Sequence, residues 1–157
     1  MLTRRARQAS RECYNPRMNA TRSGRPWVAL CLALALHVAD EATHDFLSVY
    51  NPTVLALRRR IPWLPLPTFT FPVWLAGLIA AVILLLCLSP FAFRGKRWMR
   101  PISFIFALFM TLNGLQHIAG SIYMDRFMPG VYSSPFLLAA SIWLLRSIRP
   151  GQYPTHP

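Results

Sequence analysis

An uncharged apolar run at residues 72–91 constrains the fold more than any other feature of this sequence. The run contains no Asp, Glu, Lys or Arg. As a helix it would rise about 1.5 Å per residue, which is enough to span the roughly 30 Å of hydrocarbon in a bilayer. The run therefore predicts a helix that crosses a membrane.

Three further apolar runs flank this one, at residues 27–49, 101–124 and 133–147. Each is long and apolar enough to be interpreted as a membrane-crossing helix, although the last is the shortest. The predicted fold class is all-α. We expect a polytopic membrane protein whose four transmembrane helices form a small bundle over residues 27–147.

The segments between and around these runs are polar or rich in proline. Residues 50–70 are interpreted as a loop, because Pro52, the arginines 58–60 and three later prolines argue against a continuous helix. Residues 1–26 are basic without apolar periodicity, so they are predicted to be a disordered cytoplasmic tail. Residues 148–157 are interpreted as a second cytoplasmic tail.

A cleaved signal peptide is the alternative interpretation of the first apolar run. Its apolar core ends near Leu36, and the segment 33–35 (Ala-Leu-Ala) is similar to a cleavage site. The charged region before it is unusually long for a signal peptide, however. The polar segment after it also keeps helical order, which favours a retained helix.

The charge distribution predicts the partner and the orientation. The chain is 54% hydrophobic with a net charge of +12, and its basic residues flank the apolar runs. This pattern favours contact with lipid headgroups over nucleic-acid binding. Of the 17 Lys and Arg residues, 13 lie on the N-terminal side of the membrane and four (58–60 and 126) on the other. The positive-inside rule then predicts a multi-pass protein of the inner (plasma) membrane with both termini in the cytoplasm.

Acidic and imidazole side chains are concentrated in the first apolar run. Three of the five acidic residues, Asp40, Glu41 and Asp45, lie beside His37 and His44. At about 100° per residue, His37, Asp40, Glu41 and His44 project from one arc of about 100°. The run therefore carries a polar stripe within a hydrophobic helix.

The third apolar run carries a second polar stripe, formed by Asn113, Gln116, His117 and Gly120. Gly120 would allow another helix to approach closely. On the predicted topology, both stripes lie in the middle-to-outer part of the membrane. We expect the two stripes to face each other.

Ionisable side chains inside the hydrocarbon layer are unfavourable unless another interaction compensates their charge. A charged carboxylate there costs several kcal/mol, so Asp40 and Glu41 must be neutral, paired or bound to a cation. Imidazoles and carboxylates together suit Zn²⁺ or Fe²⁺. The predicted metal ligands are His37, Glu41, His44 and His117.

Three side chains are predicted to be catalytic: Asp40, Glu41 and Asn113. Asp40 would either orient an imidazole from behind or act as a general base. Asn113 would hold a ligand or a substrate oxygen. The alternative is that all these polar groups only hydrogen-bond each other and fix helix packing.

Three functions are compatible with this pattern. The first is a membrane-embedded, metal-dependent enzyme that hydrolyses or oxidises a lipid-soluble substrate. The second is a small proton- or ion-coupled transporter, which with four helices would require oligomerisation. The third is a structural or regulatory membrane subunit, in which the polar cluster holds the helices together.

Three segments resemble the motifs of one family. Residues 37–41 (His-Val-Ala-Asp-Glu) resemble the signature of the HXXEE domain family of uncharacterised bacterial integral membrane proteins, with Asp40 where the family name has Glu. Residues 113–117 and 126–130 resemble its second motif and the following Pro-Gly turn. The resemblance covers roughly residues 27–147. It implies a four-helix membrane domain with a suspected active site and names no substrate.

Overall fold

The computed structural model describes residues 16–148, and their side chains from Ser23 onward. All regular secondary structure in this part of the chain is helical, which confirms the predicted all-α class. The helices are α1 (Pro16–Thr43), α2 (Phe46–Arg60), α3 (Phe71–Cys87), α4 (Ser89–Phe93), α5 (Met99–Tyr123) and α6 (Ser134–Ile148).

The first helix begins well before the apolar run that predicted it. Residues 16–26 belong to α1, whereas they were predicted from the sequence to be part of the disordered N-terminal tail. Pro16 occupies the first helical position, where proline is favoured. Extending a formed helix costs less than starting one, so the packed part of α1 promotes helix in the residues before it. The predicted tail segments 1–15 and 149–157 lie outside the described residues.

Helix α1 is the centre of the bundle. It packs against α3, α4 and α6, while α5 packs on α6. The ring of Trp27 in α1 meets Phe106 of α5 edge-on at 5.2 Å between centroids, and its Nε1 donates a hydrogen bond to the Leu85 carbonyl at 3.1 Å. Because α1 is central, its side chains His37 and Glu41 lie buried between helices.

The surface of the bundle is apolar in the way expected for contact with lipid. Three helical segments, Ser23–Thr43, Phe71–Phe93 and Met99–Tyr123, are long and apolar enough to cross a membrane, and Ser134–Ile148 is a shorter apolar helix. Large hydrophobic side chains are exposed on α3 and α5. An apolar surface of this extent is unusual for a protein in water. The architecture agrees with the predicted bundle of four apolar helices.

The chain turns sharply after α1, where the sequence predicted one helix over residues 27–49. Asp45 adopts a left-handed backbone conformation (φ 53°, ψ 51°), which Asp tolerates better than most residues, and this ends the helical path. The chain then re-enters a helix, α2, which contains Pro52. The predicted loop is therefore confined to residues 61–70.

Proline position explains why α2 forms where a loop was predicted. Pro52 is exposed, so water or headgroups can reach the carbonyl that its missing N–H leaves without a helical partner. Helix α2 ends at Arg60 because Ile61 precedes Pro62, and a residue before proline is disfavoured in the helical region. One internal proline is thus tolerated, whereas the X-Pro pair sets the helix end.

Side chains of α2 hold the returning loop. The Asn51 amide Nδ2 donates to the Phe69 carbonyl at 2.9 Å, and the Phe69 N–H donates to Asn51 Oδ1 at 3.1 Å. The Tyr50 hydroxyl donates to the Pro67 carbonyl at 3.1 Å. These bonds fix α2 against the segment that leads into α3, close to the end of the bundle where α1 finishes.

Candidate functional site

Polar side chains from three helix ends converge at one end of the bundle. His37 and Glu41 come from the last turns of α1, and Asn113 and His117 from the second half of α5. Ser133 lies immediately before α6. The two polar stripes predicted from the sequence face each other at this point, since Asn113 Nδ2 is 3.0 Å from His37 Nε2.

Three of these side chains form a buried cluster. His37, Glu41 and His117 are only 1%, 6% and 1% exposed. The Glu41 Oε1 atom lies 3.1 Å from His117 Nε2 and 3.6 Å from His37 Nε2. One potential ligand atom from each residue lies within 4.8 Å of the others. The cluster therefore has the composition and size of a site for one metal ion.

Helix geometry accounts for this convergence. His37 and Glu41 are four residues apart in α1, so their side chains lie on the same face, one turn apart. Asn113 and His117 have the same spacing in α5. Each helix thus presents a pair of polar groups to the other, and Asn113 borders the cluster by its contact with His37.

Asp40 and His44 form a separate group at the edge of the site. Asp40 Oδ2 accepts hydrogen bonds from the Ser133 N–H at 2.9 Å and from the Ser133 hydroxyl at 2.7 Å. Asp40 Oδ1 lies 2.9 Å from Nδ1 of His44, whose side chain is 49% exposed. His44 is not one of the three residues whose potential ligand atoms lie within 4.8 Å of one another.

Other residues of the polar stripes do not join the cluster. Asp45 and Gln116 are exposed. Gly120 does not receive a helix: an added Cβ there would lie 2.6 Å from the sulfur of Met128, in the turn that follows α5. This glycine therefore makes room for a local turn, which corrects the expectation of a close helix–helix contact.

Gly130 lies against the imidazole rings of His37 and His117. Its backbone has φ +88°, a conformation that favours glycine. A Cβ at this position would be 2.9 Å from ring atoms of both His117 and His37. The turn at Pro129-Gly130, which the sequence indicated, thus packs so closely against the two imidazoles that there is no room for a side chain at position 130.

His117 is enclosed without hydrogen-bond partners. Its ring stands edge-on to His37 at 4.8 Å between centroids, and Phe46 of α2 lies 5.9 Å away. Neither ring nitrogen has a hydrogen-bond partner among the described residues, since Glu41 approaches Nε2 outside hydrogen-bond geometry. A buried polar group without a partner is unfavourable, and a bound ion or water is a common reason for one.

Ser133 is the site residue that sequence reasoning missed. Its hydroxyl oxygen lies 2.8 Å from His37 Nδ1 although 96 positions separate the two residues. Hydroxyl side chains are common at helix starts, so nothing in the local sequence singles this one out. The contact exists only because the Gly130 turn brings the start of α6 to α1.

A family model described as a protein of unknown function with an HXXEE motif matches residues 27–144, three quarters of the chain. The chain belongs to this HXXEE family. Its motif places the histidine, His37, and the second acidic residue, Glu41, in the buried cluster. The first acidic residue, Asp40, faces Ser133 instead. No curated protein and no solved structure matches the chain.

Proposed function

We propose that this HXXEE protein is a membrane-embedded enzyme that binds one divalent metal ion through His37, Glu41 and His117. The observation that carries the proposal is the burial of two imidazoles and one carboxylate with ligand atoms within 4.8 Å of each other. Two of the separations, 3.1 and 3.6 Å, are close to the roughly 3.4 Å edge of a tetrahedral site with bonds of about 2.1 Å.

Charge and hydrogen bonding favour a metal site over a cluster whose polar groups only hydrogen-bond each other and fix helix packing. Among residues 23–148, no Lys or Arg forms an ion pair with Glu41, so the buried carboxylate has only imidazoles as charge partners. A divalent cation would compensate that charge in a medium of low dielectric constant. It would also give His117 the partner that its ring nitrogens lack. In a cluster that only fixes helix packing, the ring nitrogens of His117 would be expected to form hydrogen bonds.

The ligand set favours a catalytic rather than a structural site. Two histidines and one glutamate leave at least one coordination position free, as in catalytic zinc sites and in the two-histidine, one-carboxylate sites of Fe²⁺ enzymes. The ion would supply a Lewis acid and an activated water. Asn113 borders His37 Nε2 at 3.0 Å, where its amide can hold a substrate oxygen. Hydrolysis and oxidation are the two reaction types that fit.

The surroundings of the site support a lipid-soluble substrate. Phe46 lies beside His117 and stacks on Trp74 of α3 at 5.7 Å, so aromatic rings border the cluster. The outer surfaces of α3 and α5 are apolar. We further propose an inner-membrane location with both termini in the cytoplasm, on the basis of the basic residues. The site would then open toward the outer leaflet.

The interior of the bundle gives less support to a transporter. Below the cluster, the core contains fully buried apolar side chains from α1 and α6: Trp27, Leu30, Cys31, Leu137 and Leu144. An ion or proton path through the membrane usually needs polar side chains or water along its length. In the rest of the described bundle, the buried polar groups are serine hydroxyls, Ser103 and Ser141, whereas the buried imidazoles and carboxylate lie together at one end. This arrangement is more typical of a closed site with a single entrance.

Metal analysis of the purified full-length protein tests this proposal. The detergent-solubilised chain is stripped with a chelator, reloaded with Zn²⁺ or, without oxygen, with Fe²⁺, and analysed by mass spectrometry for metal per chain. We expect about one ion per chain in the unaltered protein and well below one in Glu41→Gln, since loss of a direct ligand should weaken binding by more than about 100-fold.

Asp125→Asn provides the matched control, because Asp125 is an exposed acidic residue outside the cluster. It should bind metal like the unaltered chain. If the unaltered protein takes up neither ion in stoichiometric amount, the metal-dependent function is wrong. Equal binding by Glu41→Gln would show that the ion sits elsewhere.

A further inference from the structure

Ser133 connects the first acidic residue of the HXXEE motif to the histidine. The Ser133 hydroxyl oxygen lies 2.7 Å from Asp40 Oδ2 and 2.8 Å from His37 Nδ1. Ser133 and His37 are 3% and 1% exposed. Asp40, Ser133 and His37 thus form a continuous chain of short polar contacts that ends at the buried cluster of His37, Glu41 and His117.

The number of hydrogen atoms determines the direction of these bonds. A hydroxyl has one hydrogen to donate, and Ser133 has three possible acceptors in reach: Asp40 Oδ2 at 2.7 Å, the Gly130 carbonyl at 3.2 Å and, if it carries no proton, His37 Nδ1 at 2.8 Å. The shorter bond to a carboxylate is the stronger one. When Ser133 donates to Asp40, its oxygen must accept from His37, so Nδ1 of His37 carries the proton.

That tautomer leaves Nε2 of His37 without a proton. Nε2 is the nitrogen that faces the cluster, 3.6 Å from Glu41 Oε1, and it accepts a hydrogen bond from Asn113 Nδ2 at 3.0 Å. A metal ligand needs this lone pair, so an ion bound at Nε2 would replace the hydrogen bond from Asn113. A metal-bound histidine commonly donates its other N–H to a carboxylate. Here a serine hydroxyl stands between the imidazole and the carboxylate.

Neighbouring contacts keep this chain in place. The Ser133 N–H donates to the same Asp40 oxygen at 2.9 Å, so the carboxylate holds both the backbone and the side chain of Ser133. The other oxygen of Asp40 lies 2.9 Å from His44 Nδ1. Both oxygens of Asp40 are therefore engaged, which leaves it poorly placed to bind metal or to take a proton from substrate.

We infer that Ser133 is a positioning residue, which passes the hydrogen-bonding influence of Asp40 to His37 and fixes the His37 tautomer with Nδ1 protonated. The tautomer exists in the metal-free protein, and only its use in metal binding rests on the proposed function. Asp40 then orients an imidazole, one of the two roles that the sequence left open. The first acidic position of the motif acts through α6 rather than at the cluster.

Nitrogen-15 NMR of the full-length, metal-free protein with labelled histidine tests the inference directly. The chemical shifts of Nδ1 and Nε2 report which nitrogen carries the proton, and loss of the signals in His37→Gln assigns them. We expect protonated Nδ1 in the unaltered chain, a shift toward protonated Nε2 in Ser133→Ala, and recovery in Ser133→Thr, which keeps the hydroxyl.

Ser134→Ala is the control for folding and burial. Ser134 is fully buried next to Ser133, but its hydroxyl donates to the Gly130 carbonyl at 2.7 Å and not to the histidine. This variant should keep the His37 tautomer. An unchanged tautomer in Ser133→Ala, or protonated Nε2 in the unaltered protein, would overturn the inference whether or not metal binds.

Metal affinity supplies the second readout. Ser133→Ala and Asp40→Asn should each weaken metal binding by about 10–100-fold, the usual effect of losing an outer hydrogen-bond partner. Because the two residues act through the same series of hydrogen bonds, the double variant should bind metal about as weakly as whichever single variant binds it more weakly. Additive losses would contradict a shared path. If neither the unaltered chain nor any variant binds metal, the proposed function is wrong. The NMR result still decides the role of Ser133.

Discussion

Replacing His117 with Ala is expected to abolish stoichiometric metal binding, whereas His44→Ala should leave it in place. His117 is one of the three buried residues proposed as metal ligands, while the His44 side chain is 49% exposed and contacts Asp40 at 2.9 Å. Loss of a direct ligand should cost more than the roughly 100-fold that outer partners contribute. Isothermal titration of the chelator-treated protein with Zn²⁺ measures both variants.

Thermal unfolding of the metal-free variants separates loss of a ligand from loss of the fold. The His117 nitrogens have no hydrogen-bond partner among the described residues, so replacing the ring removes packing and the 3.1 Å contact with Glu41 but no hydrogen bond. His117→Ala should therefore still unfold cooperatively without metal. Equal loss of metal in His44→Ala and His117→Ala would instead support the four-ligand set predicted from the sequence.

The second large effect is expected from Gly130→Ala. An added Cβ would lie 2.9 Å from both imidazole rings, and φ of +88° is unfavourable for a residue with a Cβ by about 1–2 kcal/mol. Either the turn or both rings must move. We expect a lower free energy of unfolding and metal binding weakened by at least about tenfold, since ligand geometry is lost.

Gly77→Ala is the matched control for this substitution. Gly77 lies within α3, and an added Cβ there meets nothing within 4 Å. Alanine in place of glycine inside a helix usually stabilises it by about 0.5–1 kcal/mol. The control should therefore unfold at the same or a higher temperature and bind metal normally. Normal metal binding by Gly130→Ala would mean that the two rings do not rest on this turn.

The length of apolar runs was enough to predict the main helices. The run at 72–91 and the run at 101–124 correspond to Phe71–Phe93 and to α5, because a helix that crosses hydrocarbon must be apolar for about 20 residues. Helix α2 could not be predicted in this way. Its formation depends on how an exposed proline and a left-handed Asp45 fit the surrounding structure.

Helical periodicity predicted the faces of the site but not its depth along the axis. His37 and Glu41 are one turn apart, so a face-to-face arrangement with His117 follows from angles alone. His44 shares the same face but lies two turns further on, and angle arithmetic does not separate it from the others. The structure makes that separation through the contacts of His44 with Asp40.

Contacts made by turns were beyond the reach of sequence reasoning. Ser133 and Gly130 touch His37 only because the segment after α5 folds back over the end of α1. Such a path depends on tertiary packing, which helical periodicity and turn residues do not reveal. The Pro-Gly pair indicated a turn, but not what the turn would support.

X-ray absorption at the zinc K-edge of the reloaded full-length protein tests most directly whether His37, Glu41 and His117 share one ion. The predicted spectrum shows scattering from two imidazoles at about 2.0–2.1 Å and from oxygen at about 2.0–2.2 Å. A spectrum with no imidazole scattering, or with sulfur at about 2.3 Å, would contradict a centre built from these three residues.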